Sequence, residues 1–311
     1  MSAKRLLIVG SADIRLSLPA PYIPAPNETM ISRGGYSFTP GGSGANAAVA
    51  AKNLGVDVIL CSRVGDDAYG DSLLELFARR GIDTRCIKTD KRSQTGLAVA
   101  LRERGGTSRT LLFPGASENI SAADVESAFD YYPDAVLTRL DSDPNALISA
   151  ADCARDEGLP LFVDAGRFEP DFPLSKLKSI EIFSPNESET ERLTGIRPNS
   201  LENCLRASMA LCAAVKINYV VLKLGARGCY VYDGKFCDLI SPYDVDAVDA
   251  AGVGDAFTAA LAAEYLRTGD IIASAKLANA VGAVTASRHG ELNAIPTREE
   301  AVALVNGEKE S

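Results

Sequence analysis

The segment "VDAAGVGDAF", Val248 to Phe257, sets Gly252, Val253 and Gly254 just ahead of Asp255, and a helical stretch, "AFTAALAAEYL", follows. Consecutive backbone N–H groups at a helix start make an anion hole with the helix dipole behind it. Glycine-rich turns of this kind usually hold phosphate. The phosphate loop of the common nucleotidases carries a lysine and a Ser/Thr at that place, whereas this segment carries an aspartate. Two uses fit Asp255. It can be an ordinary helix cap. It can also be a general base that takes the proton from an attacking hydroxyl, while the amides of Gly252, Val253 and Gly254 hold charge developing on a transferring phosphoryl group.

Three further stretches carry residue types suited to ligands. In "GGSGANAAV", Gly42 to Ala47 fits G-x-G-x-x-A, but a dinucleotide fingerprint must follow the first buried strand of a βαβ unit. Here Pro40 precedes it and no apolar strand feeds it. The remaining readings are a tight helix start, or glycines that let backbone approach a small ligand. Asn46 lies one turn into that helix, and Asp13 lies just past the first apolar run; both can reach the same place. In "SPNESETERLTG", Asn186 can cap a helix whose first turns hold Glu187, Glu189 and Glu191, which suits the dipole. Glu189 has a second possible use, holding Mg²⁺ through water beside nucleotide phosphates. In "VVLKLGARGCYVYDGKF", a hairpin explains the pattern, and Lys223 and Arg227 at its turn can also set positive charge beside phosphates.

The elements that must position these residues follow from periodicity. "RLLIVG", "VDVILCSRVG", "DAVLTRL", "LPLFVDAG", "SIEIFSP" and "YVVLKLG" are short apolar runs. The last four each read as a strand, and each of these except the last is expected to be followed by a helical segment. The alternation predicts an α/β fold with a doubly wound, mostly parallel sheet flanked by helices. Ligands in such sheets collect beyond the carboxyl ends of the strands. Two places break the rhythm. "TGLAVALRERGGTSRTLLFPGA" alternates, turns at Gly105-Gly106 and alternates again, which predicts a half-exposed hairpin. Residues 11–18 and 33–39 also read as extended. These pieces predict a small β-sheet standing off the main domain, as a lid or a dimer surface.

Composition narrows the function classes. The chain has 311 residues, 46% of them apolar, which fits one large domain. A formal net charge of −9 with no Lys/Arg run excludes nucleic acid as the expected partner. No apolar stretch approaches the roughly 20 residues that span a bilayer, and "RLLIVG" reads as a buried first strand rather than a signal peptide. The seven cysteines are scattered and odd in number, as expected of buried free thiols in a reducing compartment; a cytoplasmic location is expected. With His289 as the single histidine, a His-cluster metal site and a Ser-His-Asp triad are disfavoured.

Taken together, "GGSGANAAVAAKNLG" with "VGDDAYGD", then "PNESETERLTG", "LKLGARG" and "VDAAGVGDAFTAAL" resemble, in family order and over nearly the whole chain, the ribokinase-like (phosphofructokinase-B type) carbohydrate kinases. The resemblance implies a single ribokinase-like domain over residues 1–311, with a lid from about 11–40 and 93–115. It implies ATP-dependent phosphorylation of a hydroxymethyl group of a sugar, ribose or a related sugar or sugar acid. Asp255 would be the base and Gly252 to Gly254 the anion hole. Asp13, Gly41, Gly42, Asn46, Asp141 and Arg167 would lie at the sugar. Asn186 and Glu189 would serve phosphates and Mg²⁺, with Glu189 acting through water. Lys223, Gly225 and Gly228 would lie along the nucleotide, and Asn279 near the adenine. Asp249, with the loop "SRHGELNA", resembles the family's potassium site, and the lid is often a homodimer surface. Departures from the family pattern are Ala250 for the usual Thr, Ser43 for Lys, Asp141 for a glutamate and Gly166 for an Asn. A nucleoside kinase of the same fold, its acceptor pocket lined by aromatic residues such as Tyr22, Tyr36 and Phe38, and a non-catalytic sugar- or nucleotide-binding regulator are the alternatives. The intact Gly-x-Gly-Asp speaks against the regulator.

Overall fold

The computed structural model describes residues 4–103, 108–166 and 172–307. Its elements open with strands β1 (Arg5–Val9), β2 (Asp13–Ala20) and β3 (Ser37–Gly41), then helix α1 (Ser43–Asn53). Next come β4 (Asp57–Gly65), α2 (Ala68–Arg79), β5 (Ile87–Asp90), β6 (Gly96–Glu103) and β7 (Ser108–Phe113). The middle of the chain supplies α3 (Ala122–Phe129), β8 (Ala135–Arg139), α4 (Pro144–Asp156), β9 (Leu161–Asp164) and β10 (Ser179–Ser184). It continues through α5 (Glu187–Thr194), α6 (Leu201–Ala214), β11 (Lys216–Lys223), β12 (Cys229–Tyr232) and β13 (Cys237–Ile240). Three helices follow: α7 (Val253–Thr268), α8 (Ile271–Ala286) and α9 (Arg298–Val305).

The apolar runs behave as their pattern predicts. In β1, Leu6 and Ile8 pack into one hydrophobic cluster with α1, α7 and α8, while Leu7 and Val9 pack into a second with α3, α4 and α6. A strand buried on both faces needs no polar alternation, and each fully buried Leu or Ile contributes about 1.5–3 kcal/mol. The main sheet has the order β13-β12-β11-β10-β9-β8-β1-β4-β5. Its pairs are parallel from β11 through β5, and β12 and β13 add antiparallel at one edge.

The two irregular stretches form a separate sheet in the order β3-β2-β6-β7. The β6–β7 pair is the expected antiparallel hairpin, although its Gly105-Gly106 turn lies outside the described residues. This sheet is anchored at α2: the Asp67 carboxylate caps Gly70 N–H at 2.9 Å and accepts from the Thr95 N–H and hydroxyl at 2.8 and 2.7 Å, just ahead of β6. One crossover differs from expectation. Between β9 and β10 the described residues hold only a 3₁₀ turn, Leu174–Leu177, and no α-helix. Pro170 and Pro173 in "FEPDFPLSKL" lack the N–H a helix interior needs.

Because the central strands are parallel, their carboxyl ends share one edge. Gly10, Arg139, Asp164, Pro185 and Lys223 therefore end or follow strands on the same side of the sheet. Helix α7 begins against that edge.

Candidate active site

Helix α7 starts on Gly252, whose φ of 74° turns the chain in a way that favours glycine. A Cβ there would also lie 3.1 Å from the Asn46 amide nitrogen. Asp255 lies in the first turn of α7. Its carboxylate is engaged by two other elements: Asn46 Nδ2 of α1 donates to Oδ2 at 2.9 Å, and Arg139 Nη1 at the end of β8 donates to Oδ1. Burial pushes the Asp255 carboxyl above the ordinary aspartate range, against the pull of Arg139; nearby Asp164 pushes the same way as burial, and Asn46 and Lys223 oppose.

A cavity of about 440 Å³ opens beside this carboxylate. Asp13, Gly42, Asn46, Asp141, Gly252 and Asp255 all line it, so the structure brings most of the predicted acceptor residues together. Asp13 begins β2 and is buried, and it pairs in register with Gly41 of β3. A Cβ on Gly41 would meet the Glu291 carboxylate at 3.0 Å and Asp13 Oδ1 at 3.3 Å. Gly42 has φ 100°, and a Cβ there would lie 2.6 Å from the Ser11 carbonyl oxygen, so only glycine fits. Asp141 is gripped by Arg139 through two contacts of 3.0 Å. Arg167 lies outside the described residues.

Sequence reasoning missed four of the side chains at this place. Arg139 and Asp164 each end an apolar strand, so the carboxyl-end rule contained a signal for both. Arg15 carried none, and Glu291 lay in the loop "SRHGELNA", which the resemblance tied only to potassium. Glu291 has a backbone φ of 51°, unusual for a non-glycine residue. Its buried carboxylate lies 2.8 Å from Arg15 Nε on β2, although the two are not aligned as a hydrogen bond. Burial raises the Glu291 carboxyl from 4.5 to about 7, with Arg15 opposing and Asp13 and Asp255 reinforcing.

On the other side of Asp255, Lys223 at the end of β11 reaches Asp164 Oδ2 at 2.7 Å, and the Thr258 hydroxyl donates to the same oxygen at 2.6 Å. A Cβ on Gly254 would be 3.6 Å from Lys223 Nζ, so the ammonium abuts the start of α7. Burial would raise Asp164, but Lys223 and Arg139 hold it below the usual range. Asn186 and Glu189 form a reciprocal capping box on α5: Glu189 N–H donates to Asn186 Oδ1 at 2.9 Å and Asn186 N–H to Glu189 Oε2 at 2.7 Å. Burial raises the Glu189 carboxyl against the pull of Lys223. Gly225 and Gly228 lie in the turn between β11 and β12 at φ 57° and 84°, and a Cβ on Gly228 would collide with the Ile240 carbonyl at 2.0 Å.

Three further residues named from the sequence have protein partners of their own. Arg227 points away from Lys223, onto Glu187 at 2.5 Å and the Pro198 carbonyl at 2.6 Å. Asn279 is buried and donates to the carbonyls of Ile240 and Ser241, bracing β13. Asp249 is held by Arg102 of β6 at 2.9 and 3.2 Å and accepts from Ala251 N–H at 3.0 Å. Cys237 is exposed, whereas Cys61, Cys86, Cys204 and Cys229 are buried free thiols. Among the described residues no group of three or more His, Cys, Asp or Glu is placed to hold a metal ion, and no helix is long and apolar enough to cross a membrane.

A model of the pfkB family carbohydrate kinases matches residues 3–298. A ribokinase of Haemophilus influenzae is 29% identical over 301 residues, covering 96% of this chain and 97% of that protein. A deoxyribokinase of Salmonella typhi is 24% identical over 297 residues, covering 95% and 96%. The solved structure of Arabidopsis thaliana ribokinase complexed with ribose and ATP is similar at a TM-score of 0.87 and 27% identity, over 99% of this chain and 100% of that one. Ribokinase from Giardia lamblia shares the fold at a TM-score of 0.88 and 22% identity, over 99% and 100% of the two chains.

Proposed function

Since this chain belongs to the pfkB family of carbohydrate kinases, we propose that it transfers the γ-phosphoryl group of ATP to a hydroxymethyl group of an uncharged sugar. The observation that carries this reading is the Asp255 carboxylate, held by Asn46 and Arg139 at the first turn of α7 and lining the 440 Å³ cavity. A sugar hydroxyl in that cavity gives its proton to Asp255 as its oxygen attacks phosphorus. The N–H groups of Gly252, Val253 and Gly254 and the Lys223 ammonium stabilise the charge on the transferring group.

Two features of the cavity select the acceptor. Among the described residues its lining holds Asp13, Glu118, Asp141, Asp143, Asp255 and Glu291 against Arg15 and Arg139, and both arginines already face carboxylates. That excess of negative charge repels a sugar acid and suits the hydroxyls of a neutral sugar, which can donate to carboxylates. Among the described residues no aromatic side chain lines it, so they offer a nucleobase no stacking surface there. Tyr36 and Phe38 meet edge to face on an exposed face instead.

Lys223, Gly225 and Gly228 would lie along ATP. Mg²⁺ fits the nearby acids: Glu189 uses Oε2 for its cap and keeps Oε1, and together with Asp164 it flanks Lys223, which suits a metal held by phosphates with protein contact through water. When bound, the ion would offset phosphate charge. Potassium has no part in this reading, because Asp249 already faces the Arg102 guanidinium. The small sheet contributes Ala98, Thr110 and Leu112 to the cavity and would close over the sugar. Its exposed Tyr36, Phe38, Leu111 and Phe113 would form the homodimer surface. Incubation with ATP and a panel of neutral sugars, sugar acids and nucleosides, read by ADP release, tests the reading. Release with a neutral sugar is expected. No acceptor-dependent release with any compound would leave the regulator reading, and release with nucleosides alone would overturn the choice of acceptor.

A further inference from the structure

We infer that Arg139 is a positioning residue for the general base: clamped by Asp141 and seated on the backbone of Gly166, it holds the Asp255 carboxylate aimed at the acceptor. The inference rests on the proposed role of Asp255. Arg139 ends β8, a central strand whose preceding residues, Ala135 to Thr138, are buried. Its guanidinium presents one edge, Nε and Nη2, to the two oxygens of Asp141 at 3.0 Å each, and turns Nη1 to Asp255 Oδ1. This is the bidentate fork that lysine cannot reproduce. With Asp141 fixing its plane, the arginine cannot rotate without breaking three contacts.

The third support is steric. Gly166 follows β9 at φ 57°, and a Cβ there would lie 2.6 Å from Arg139 Nη2 and 2.9 Å from Asp141 Oδ2. The missing side chain makes the seat for the fork. Arg139 and Gly166 therefore act together: the strand end supplies the charge, and the neighbouring loop makes room for it. Asn46 fixes Oδ2 of the base from the opposite side, so the carboxylate is held at both oxygens and its remaining lone pairs face the cavity.

The charged groups around Asp255 show why this arginine matters more than its neighbours. Asp141 shares the end of β8 with Arg139. Asp164 faces the base from β9, Glu291 from the segment after α8, and Asp13 stands beyond Glu291 on β2; all are acidic. Lys223 of β11 is neutralised by Asp164, and Asn46 carries no charge. Among the described residues, Arg139 is thus the one cation in direct contact with the base.

The test uses the full chain carrying Arg139→Gln, Arg139→Lys or Gly166→Ala. In acceptor-dependent ADP release, the acid limb of the pH–kcat profile should move up by about 1–3 pH units in Arg139→Gln, the usual effect of losing an adjacent opposite charge. Arg139→Lys should return the limb close to wild type while kcat stays reduced, because charge is restored without the fork. Gly166→Ala should lower kcat without moving KM for ATP. A limb that stays in place in Arg139→Gln overturns the inference. A second measurement needs no turnover and so separates this inference from the sugar-kinase reading. Without its counter-charge, Asp255 titrates at higher pH in the folded state, and the stability carried by its neutral form is lost as pH rises. Thermal unfolding of Arg139→Gln should fall further below wild type at pH 8 than at pH 5, and adding Asp255→Asn should remove that difference. An equal deficit at both pH values would assign Arg139 a packing role only.

Discussion

Replacing Asp255 with asparagine removes the proposed base and very little else. The carboxamide matches the carboxylate in shape, so α7 should start unchanged on Gly252. Its single oxygen can accept from Asn46 or from Arg139, but not from both, and its NH₂ then faces a donor. Arg139 keeps Asp141, through two contacts of 3.0 Å. Burial already pushes the Asp255 carboxyl upward, so losing its charge relieves desolvation while losing one ion pair; the two effects oppose and unfolding temperature should change little. The chemical step has no such compensation. Losing a general base costs about 10²–10⁴ in kcat, equivalent to about 3–5 kcal/mol of transition-state stabilisation. ADP release at saturating sugar and ATP measures kcat, and calorimetry measures ATP affinity, which should hold because Lys223, Gly225 and Gly228 are untouched. Turnover within a few-fold of wild type would refute the reasoning. A parallel loss of ATP affinity would relocate the damage to the nucleotide site.

Other outcomes follow from single contacts. Gly42→Ala forces a Cβ to within 2.6 Å of the Ser11 carbonyl and 2.9 Å of the Asp13 amide, both backbone; KM for the sugar should rise, and unchanged sugar kinetics would remove Gly42 from the acceptor site. Glu291→Gln tests the buried carboxyl. Its acid form contributes stability that is fully present below 4.5 and is lost as pH rises through about 7, a span equivalent to about 3 kcal/mol. The glutamine variant should match wild type in thermal unfolding at pH 4 and exceed it at pH 8; an equal difference at both would place the titration elsewhere. Exchanging potassium for tetramethylammonium should leave wild-type turnover unchanged, whereas Arg102→Ala, which leaves Asp249 an uncompensated, largely buried charge, should become potassium-responsive. Stimulation of the wild type would return potassium to the site.

The sequence carried the main sheet because strands buried on both faces are short and uniformly apolar, as in "RLLIV" and "LFVD", and this survives without any tertiary information. It carried the small sheet through the alternation of "GLAVALRE". The start of α7 was legible because Gly252 and Gly254 flank a helix whose first acid is Asp255. What could not be read is pairing across the chain. Arg139 and Asp255 are separated by 116 positions and meet only because β8 is central in the sheet. Asn279 shows the converse. The resemblance implies a place near the adenine for it, while its amide donates to two carbonyls at the end of β13 and just beyond, bonds that no local pattern announces. That the described residues between β9 and β10 form no α-helix accords with two prolines whose signal the broader alternation outweighed.

Arg15 and Arg102 both stand on the small sheet, and the carboxylates they face, Glu291 and Asp249, flank the start of α7. If the proposed lid swings outward, both pairs must part, and added salt, which screens the separated charges, would ease the opening. The same movement releases Asp249, whose other oxygen contact is the Ala251 amide, one residue before Gly252. On the proposed function, an open molecule would have a slackened anion hole, and water that entered would meet a site poorly set to use it. Idle ATP hydrolysis would then be slow by construction, because exposure and competence would exclude each other.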